Sequence, residues 1–293
     1  MSETIATVNG QPITRRDLDS AVQGFAMDRF RKTRDHLAAD DLAALEDMAL
    51  ERLLARELIF QEALSQGVVA DEAAVAAEEE KIIANFPSAE EFAGTLEKAG
   101  ISPAAYHRMI RQDLTVNLMT EHKVSELPDP DDAEIETFYR EHPERMVHPL
   151  QVRASHLLFR AGSDDEERRA ARERVAELKA LAATEDFASL AREHSQCPSA
   201  GAGGDLGYFR RGTMAPEFGE AAFAQPVDEV GEAVETQFGV HLIKVLDRRA
   251  ESPMSLEEAT PQIRSFLREE AGTRLLAEWV ADLRARAEIQ LSV

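Results

Sequence analysis

Apolar positions along the chain fall into two regimes. From residue 1 to about 142 they recur mostly at helical spacing, after a brief extended start at Ile5–Val8. Leu42, Leu45, Ala49, Leu53, Ile59 and Ala63 lie near the helical period of about 3.6 residues. They predict a helix over 41–66, closed by Gly67, since glycine readily takes the left-handed backbone that ends helices. Thr14 with Asp17 has capping-box spacing and opens an earlier helix to about Arg34. Ser88 starts a short helix ended by Gly100. Ser102 and Pro103 supply a cap and a first-turn proline for a helix to about Lys123.

Breakers then cluster at Leu127-Pro128-Asp129-Pro130, and a short helix with Phe138 and Tyr139 follows. After His148-Pro149 the regime changes. Residues 152–159 read as a strand, 164–183 as a charged amphipathic helix, and 186–194 as a second helix. A glycine-rich loop at 195–207 leads to a short strand at Tyr208-Phe209 and a helix around Pro216–Phe223. Strands near Gly231–Glu235 and Val240–Asp247 complete a mixed unit. Ser255 with Glu258 opens a terminal helix to about Ala287, whose stripe of Leu256, Ile263, Leu267, Leu275, Trp279 and Leu283 needs an apolar partner. The expected class is α+β: a small, mostly antiparallel sheet with surrounding helices, inserted in an all-α body. The boundaries are 1–147 for the helical domain, 148–249 for the mixed domain, and 250–293 for a C-terminal helix packing back on the first.

Charge narrows the partners. The chain carries 33 basic and 55 acidic residues, net −22. Such a surface repels phosphate backbones and anionic lipid, so nucleic acid is not an expected partner. No run approaches the ~20 apolar residues that span a bilayer, so no membrane insertion is expected. The first residues lack a basic-then-apolar leader, which points to the cytoplasm, although a chain relieved of its leader reads the same. The single cysteine, Cys197, excludes an intramolecular disulfide.

Candidate chemistry concentrates in the mixed unit: His156 in its first strand, Cys197 at the loop start and His241 in its last strand. A lone cysteine is ordinarily a small apolar filler, and a histidine within an apolar strand is ordinarily a hydrogen-bonded core residue. Zinc fits poorly, because two imidazoles and one thiol lack a fourth ligand nearby. A Cys–His hydrolase is open on residue types, but no Asn or Asp placement argues for it.

The surrounding blocks carry more information. Val152-Arg153-Ala154-Ser155-His156-Leu157-Leu158, the run from Phe187 through Cys197 to Ala200, and Gly203-Gly204-Asp205-Leu206-Gly207-Tyr208-Phe209 come first. Gly212-Thr213-Met214-Ala215-Pro216-Glu217-Phe218 with Ala221-Ala222-Phe223, and Phe238-Gly239-Val240-His241-Leu242-Ile243-Lys244, then follow in order. Together, residues 151–248 resemble the parvulin family of peptidyl-prolyl cis/trans isomerases. Val8-Asn9-Gly10-Gln11-Pro12-Ile13-Thr14 and the stretch from Met254 to Arg264 resemble the flanks of SurA- and PrsA-like foldases, and the layout is similar to NifM-like parvulins.

The resemblance implies an isomerase that also chaperones unfolded or proline-containing clients, without cofactor or metal. His156 and His241 would be paired active-site histidines supported by Thr236. Cys197 would face the substrate amide, and Leu206, Met214 and Phe218 would grip the proline ring. Phe238 stands where some relatives carry a small polar residue, giving a more apolar rim. The competing reading is a client-binding chaperone whose parvulin domain only docks peptides. Phosphate-directed members carry a basic loop after the first strand. Here that region, Arg160-Ala161-Gly162-Ser163-Asp164-Asp165-Glu166-Glu167-Arg168-Arg169, is short and acid-interrupted, so phosphoserine specificity is not expected. A terminal helix able to pack on its own N-terminal domain can also swap into a second copy, so a homodimer through the helical domain belongs to the expectation.

Overall fold

The computed structural model describes residues 3–292, which divide into two compact units: 3–131 joined by 264–292, and 132–263.

The first unit opens with a hairpin of β1 (Thr4–Val8) and β2 (Gln11–Thr14). Its turn, Asn9-Gly10, has φ of 50° and 82°, the doubly positive backbone that suits the strand twist. Pro12, which lacks an N–H, sits on the edge strand, where no ladder bond is lost. Thr14 caps α1 (Arg15–Phe30): its Oγ1 accepts from the Asp17 N–H at 3.3 Å, and Asp17 Oδ2 accepts from the Thr14 N–H at 2.8 Å. The helix stops short of the expected Arg34, because Arg31 turns left-handed at φ 55° and its N–H reaches back to the carbonyls of Ala26 and Met27. Then come α2 (Ala39–Gln66), closed by Gly67 at φ 73°, α3 (Glu72–Ile83), α4 (Ala89–Lys98) and α5 (Pro103–Ser125).

The second unit runs α6 (Asp132–Glu141), β3 (Val147–His148), β4 (Gln151–Arg160), α7 (Asp165–Leu181), α8 (Phe187–His194), β5 (Asp205–Arg210), α9 (Pro216–Ala224), β6 (Val234–Thr236), β7 (Gly239–Arg249) and β8 (Ser252–Pro253). The last strand of the mixed unit's sheet edge begins at Val234 rather than Gly231, whose N–H instead donates to the Ile243 carbonyl at 2.9 Å. A long helix, α10 (Leu256–Arg286), starts in this unit and continues into the first, ending in β9 (Ile289–Leu291).

Strand β9 pairs antiparallel with β1, so the first unit holds a sheet of order β2-β1-β9 beside its helices. Trp279 and Leu283 of α10 join one buried cluster with Leu18, Val22, Leu45 and Leu54. Each large side chain buried there stabilises by roughly 1.5–3 kcal/mol before entropy is subtracted.

The compact division falls at 131/132 and 263/264, whereas sequence breakers put it at 147/148 and 249/250. Hydrogen bonds explain the difference. Tyr139 Oη donates to the Met254 carbonyl at 2.6 Å, the Met254 N–H donates to the Met146 carbonyl at 2.9 Å, and β3 pairs with β8. Those contacts tie 132–148 and 252–263 to the same unit.

Its main sheet is antiparallel with order β5-β4-β7-β6. Alternation along β4 sends Leu157 to the face covered by α7 and α8, where it clusters with Val175, Leu178, Leu190 and Leu242. Val152 and Ala154 point to the other face, with Phe209, Phe218, Phe223 and Ile243. His156, Leu158 and Arg160 continue that second face beyond the cover of α9, and the site forms there.

Candidate functional site

The pairing register sets the centre of the site. Leu158 of β4 lies opposite His241 of β7, and His156 lies opposite Ile243, so the two histidines are diagonal neighbours on one face. Their Nδ1 atoms are 3.1 Å apart and the rings stack with planes inclined 18°. Val234 of β6 pairs with His241, which brings the next same-face residue, Thr236, to the ring: its Oγ1 is 2.8 Å from His241 Nε2. Thr236 Oγ1 also accepts from the Phe238 N–H at 3.1 Å. At the other end, His156 Nε2 is 3.2 Å from Ser199 Oγ.

All four ring nitrogens are therefore engaged in one chain, Thr236–His241–His156–Ser199. A single proton between the two Nδ1 atoms satisfies it, and the hydroxyls at both ends donate or accept accordingly. A second proton there would set two N–H groups against each other. Burial pushes His156 down from 6.5 to about 4. Burial first, and then the neighbouring His156, push His241 down to about 4 as well. Both rings are neutral at pH 7.

The loop after α8 completes the wall by running along β4 beyond the reach of β5. The Gln196 N–H donates to the Leu158 carbonyl at 2.8 Å, Ser195 Oγ accepts from the Leu158 N–H at 3.1 Å, and the His156 N–H donates to the Gly204 carbonyl at 3.0 Å. Gly204 has φ 78°, and a Cβ there would lie 2.2 Å from the His156 carbonyl oxygen, so this close approach requires glycine. A short 3₁₀ turn, Pro198–Ala202, then aims Ser199 at His156.

These elements enclose a cavity of about 520 Å³ lined by His156, Leu158, Arg160, Cys197, Pro198, Leu206, Met214, Ala215, Phe218, Phe238 and His241. Phe218 stands edge-on to both imidazoles, with ring centroids 5.5 Å from His156 and 5.3 Å from His241. Phe238 is 57% exposed at the rim. Of the eight residues singled out in the sequence, seven line this cavity, and Thr236 lies behind it on His241. Four lining residues, Leu158, Arg160, Pro198 and Ala215, were not singled out, and neither was Ser199, which reaches His156. Leu158 and Arg160 share the strand parity of His156, a signal that was legible. Ser199 and Pro198 depend on a turn that spacing does not predict.

No ring nitrogen is left to take a proton from Cys197, so the arrangement is not a thiol–imidazole pair. Among the described residues no group of three or more His, Cys, Asp or Glu side chains could hold a metal ion. No helix among them is long and apolar enough to cross a membrane.

An antiparallel four-stranded sheet carrying two stacked neutral histidines at the floor of an apolar, aromatic-walled pocket defines a rotamase-type domain. Residues 139–249 match the family model for the PPIC-type PPIase domain, and residues 1–120 match that for the SurA-like N-terminal domain. A putative peptidyl-prolyl cis-trans isomerase NifM of Azotobacter chroococcum is 30% identical over 69% of this chain and 70% of its own length. The chain belongs to the PpiC-type, or parvulin, family with a SurA-like N-terminal domain. A foldase protein PrsA of Halalkalibacterium halodurans is 41% identical over 55% of this chain, and a chaperone SurA of Albidiferax ferrireducens is 37% identical over 48%. The chain spans 43% and 31% of those two relatives' lengths.

Proposed function

We propose that the chain is a non-covalent peptidyl-prolyl cis/trans isomerase that also holds unfolded, proline-containing clients. The observation that carries the reading is the neutral Thr236–His241–His156–Ser199 network at the floor of an otherwise apolar pocket. Rotation about an Xaa–Pro bond is opposed by amide resonance, a barrier of about 20 kcal/mol. The twisted amide has lost that resonance, and its carbonyl and nitrogen carry a charge distribution unlike that of the planar ground state. Rotation needs neither a strong base nor a covalent nucleophile. A grip on the ring and oriented dipoles in a water-poor pocket favour the twisted form over the planar one.

In this reading Leu206, Met214 and Phe218 clamp the proline ring, and Phe238 covers the flanking peptide from the rim. Cys197 faces the amide as a weak, polarisable neighbour. The histidine pair, anchored by Thr236 and Ser199, places preorganised polar groups beneath it, which supports catalysis through preorganisation rather than proton abstraction. A second cavity supports the holding role: an apolar groove of about 1020 Å³ between α3, α4 and α5, lined by Ile83, Phe92, Leu96, Ile101 and Tyr106 among others.

The test is cis/trans exchange of a short proline peptide, measured by protease-free NMR with the full chain. Acceleration over the spontaneous rate supports the reading. No acceleration, with aggregation of an unfolded client still suppressed, would leave the domain as a peptide-docking module.

A cytoplasmic location and a homodimer belong to the same proposal. The unpaired Cys197 is compatible with a reducing compartment. The meeting of β9 with β1 within the first unit supports an arrangement that two copies could exchange. Fractionation of tagged protein and light scattering test them; recovery outside the cytoplasm, or a monomeric mass at tens of micromolar, would overturn each.

A further inference from the structure

Strand β6 is three residues long, lies at the edge of the main sheet and, among the described strands, pairs with β7 alone. It nevertheless carries the hydroxyl that meets His241 Nε2 at 2.8 Å. Thr236 pairs with Gly239, so Gln237 and Phe238 form the turn between the strands, and the Phe238 N–H donates back to Thr236 Oγ1 at 3.1 Å. One short edge strand therefore places both an anchor of the imidazole pair and the aromatic rim of the pocket. Such elements sit at the low end of local stability, because backbone pairing supports them from one side.

Arg168, near the start of α7, grips that strand from outside the pocket. Its three nitrogens donate to three acceptors: Nε to the Gly162 carbonyl at 2.7 Å, Nη1 to Glu235 Oε2 at 3.2 Å and Nη2 to the Thr236 carbonyl at 3.3 Å. One guanidinium thus ties the loop after β4, the helix and β6 together. Alternation along β6 sends the Thr236 side chain to the histidines and Glu235 towards α7. The Arg168 side chain is 20% exposed and is not among the residues that line the cavity. A planar fork suits the task, since its donors leave in fixed directions and little freedom is lost in using all of them. Arg172, one turn further along α7, offers a built-in comparison. It donates to both oxygens of Glu235 and, among the described residues, reaches no backbone group of β6.

We propose that Arg168 is a positioning residue of the isomerase site. By fixing the Thr236 carbonyl and the Glu235 carboxylate together, it sets where the Thr236 hydroxyl meets His241, and through it the seat of the imidazole pair beneath the substrate amide. This rests on the isomerase reading for its site and goes beyond it by giving a role to a residue that touches neither substrate nor imidazole. The line of action is short: guanidinium to the Thr236 carbonyl, the Thr236 hydroxyl to His241 Nε2, and His241 Nδ1 to His156 Nδ1 at 3.1 Å. Catalysis by preorganised polar groups is sensitive to such support, because small displacements weaken their effect on the twisted amide. Removing Arg168 leaves every cavity-lining side chain in place, so peptide binding is largely kept while turnover falls.

The experiment compares Arg168→Met, Arg168→Lys, Arg172→Met and the double variant Arg168→Met, Thr236→Val in the full chain. Peptide exchange kinetics and imidazole nitrogen shifts are the readouts. Arg168→Met should lower kcat about three- to tenfold with KM within about twofold, and should move the His241 nitrogen shifts. Arg172→Met loses a partner of the same carboxylate and should leave kcat and those shifts near wild type. Arg168→Lys keeps the charge and gives up the fork, so it should show the same shift changes with a smaller loss of kcat, and it serves if Arg168→Met does not fold. The double variant should be no slower than Thr236→Val alone, because both changes act through one hydroxyl. Wild-type kcat in both Arg168 variants, an equal loss in Arg172→Met, or losses that multiply in the double variant would overturn the proposal. If no peptide isomerises faster than spontaneously, the isomerase reading fails separately. The His241 shifts then decide the positioning role by the same comparison: moved in the Arg168 variants and unmoved in Arg172→Met supports it, and any other pattern overturns it.

Discussion

Replacing Thr236 with valine removes one oxygen from a nearly solvent-free position and keeps the side-chain shape. Thr236 is 5% exposed and His241 is 4% exposed. The lost hydroxyl leaves His241 Nε2, now 2.8 Å from a methyl group, without a partner, and water has little access to replace it. A buried polar atom left unpaired costs about 1–3 kcal/mol. The Phe238 N–H loses its acceptor too, but that residue is 57% exposed and its amide can turn to water, so its share is small. Destabilisation of the second unit by about 1–3 kcal/mol is therefore expected, or roughly 3–9 °C in midpoint for a unit of this size.

The same change removes one anchor of the histidine chain. With Thr236 present, the two hydroxyls and the shared Nδ1 proton have two self-consistent arrangements, which run in opposite directions. Without it, His241 no longer has a partner on its outer nitrogen, and the imidazole pair is held less firmly beneath the substrate amide. A fall in kcat of about tenfold, with KM little changed, corresponds to roughly 1.4 kcal/mol of lost transition-state stabilisation. Thr236→Ser keeps the hydroxyl and should recover most of the activity, despite losing a methyl group. Thermal unfolding, peptide exchange kinetics and imidazole nitrogen shifts together form the assay. Wild-type stability and turnover in Thr236→Val, with Thr236→Ser the worse of the two, would refute the role given to this hydroxyl.

Three further outcomes follow from the site. Phe218→Ala should impair peptide turnover far more than Cys197→Ser: the aromatic wall touches both imidazoles, and its core share is worth about 3–5 kcal/mol, whereas serine keeps a hydrogen-bonding group. Abolished activity in Cys197→Ser with near-normal Phe218→Ala would instead indicate thiolate chemistry. Because both histidine values are depressed from 6.5 to about 4, the unfolded chain binds the protons first; denaturant stability should be insensitive to these groups above pH 6.5 and decline as the pH falls towards 4. Stability that rises on acidification through that window, in wild type relative to a His156→Gln, His241→Gln double variant, would contradict the assignment. Gly204→Ala should lose several kcal/mol or fail to fold, since its Cβ would meet the His156 carbonyl at 2.2 Å, and a hydrogen-exchange profile identical to wild type across β4 would contradict that.

How far the sequence reaches depends on whether the forces that shape an element are local. Helix α2 was legible because its apolar period and Gly67 act within a few residues of one another. Hairpin β1–β2 carried the same kind of signal in Asn9-Gly10, although the stretch reads at first as a brief extended start followed by a helix. Strand β9 carried none. Its three residues are a strand because β1 offers unpaired backbone groups to them, Ala6 to Leu291 and Val8 to Ile289, a partnership with almost the whole chain between its members. The end of α1 belongs with β9: arginine has no preference for φ 55°, so only the completed structure identifies Arg31 as the stop.

The site divides along the same line. His156, Leu158 and Arg160 follow from strand alternation once β4 is recognised, and the family-type blocks point to Cys197, Met214 and Phe218 by order alone. Ser199 does not, because a serine between Pro198 and Ala200 reads as turn chemistry, and only the 3₁₀ turn brings its hydroxyl to His156. Without that hydroxyl, His156 Nε2 would be a buried nitrogen lacking its end of the chain, and Thr236 alone would anchor the pair. Ser199→Ala is therefore the complement of Thr236→Val. If the chain of four groups acts as one unit, the double variant should cost little more in kcat than either single one, whereas two independent supports would give losses that multiply.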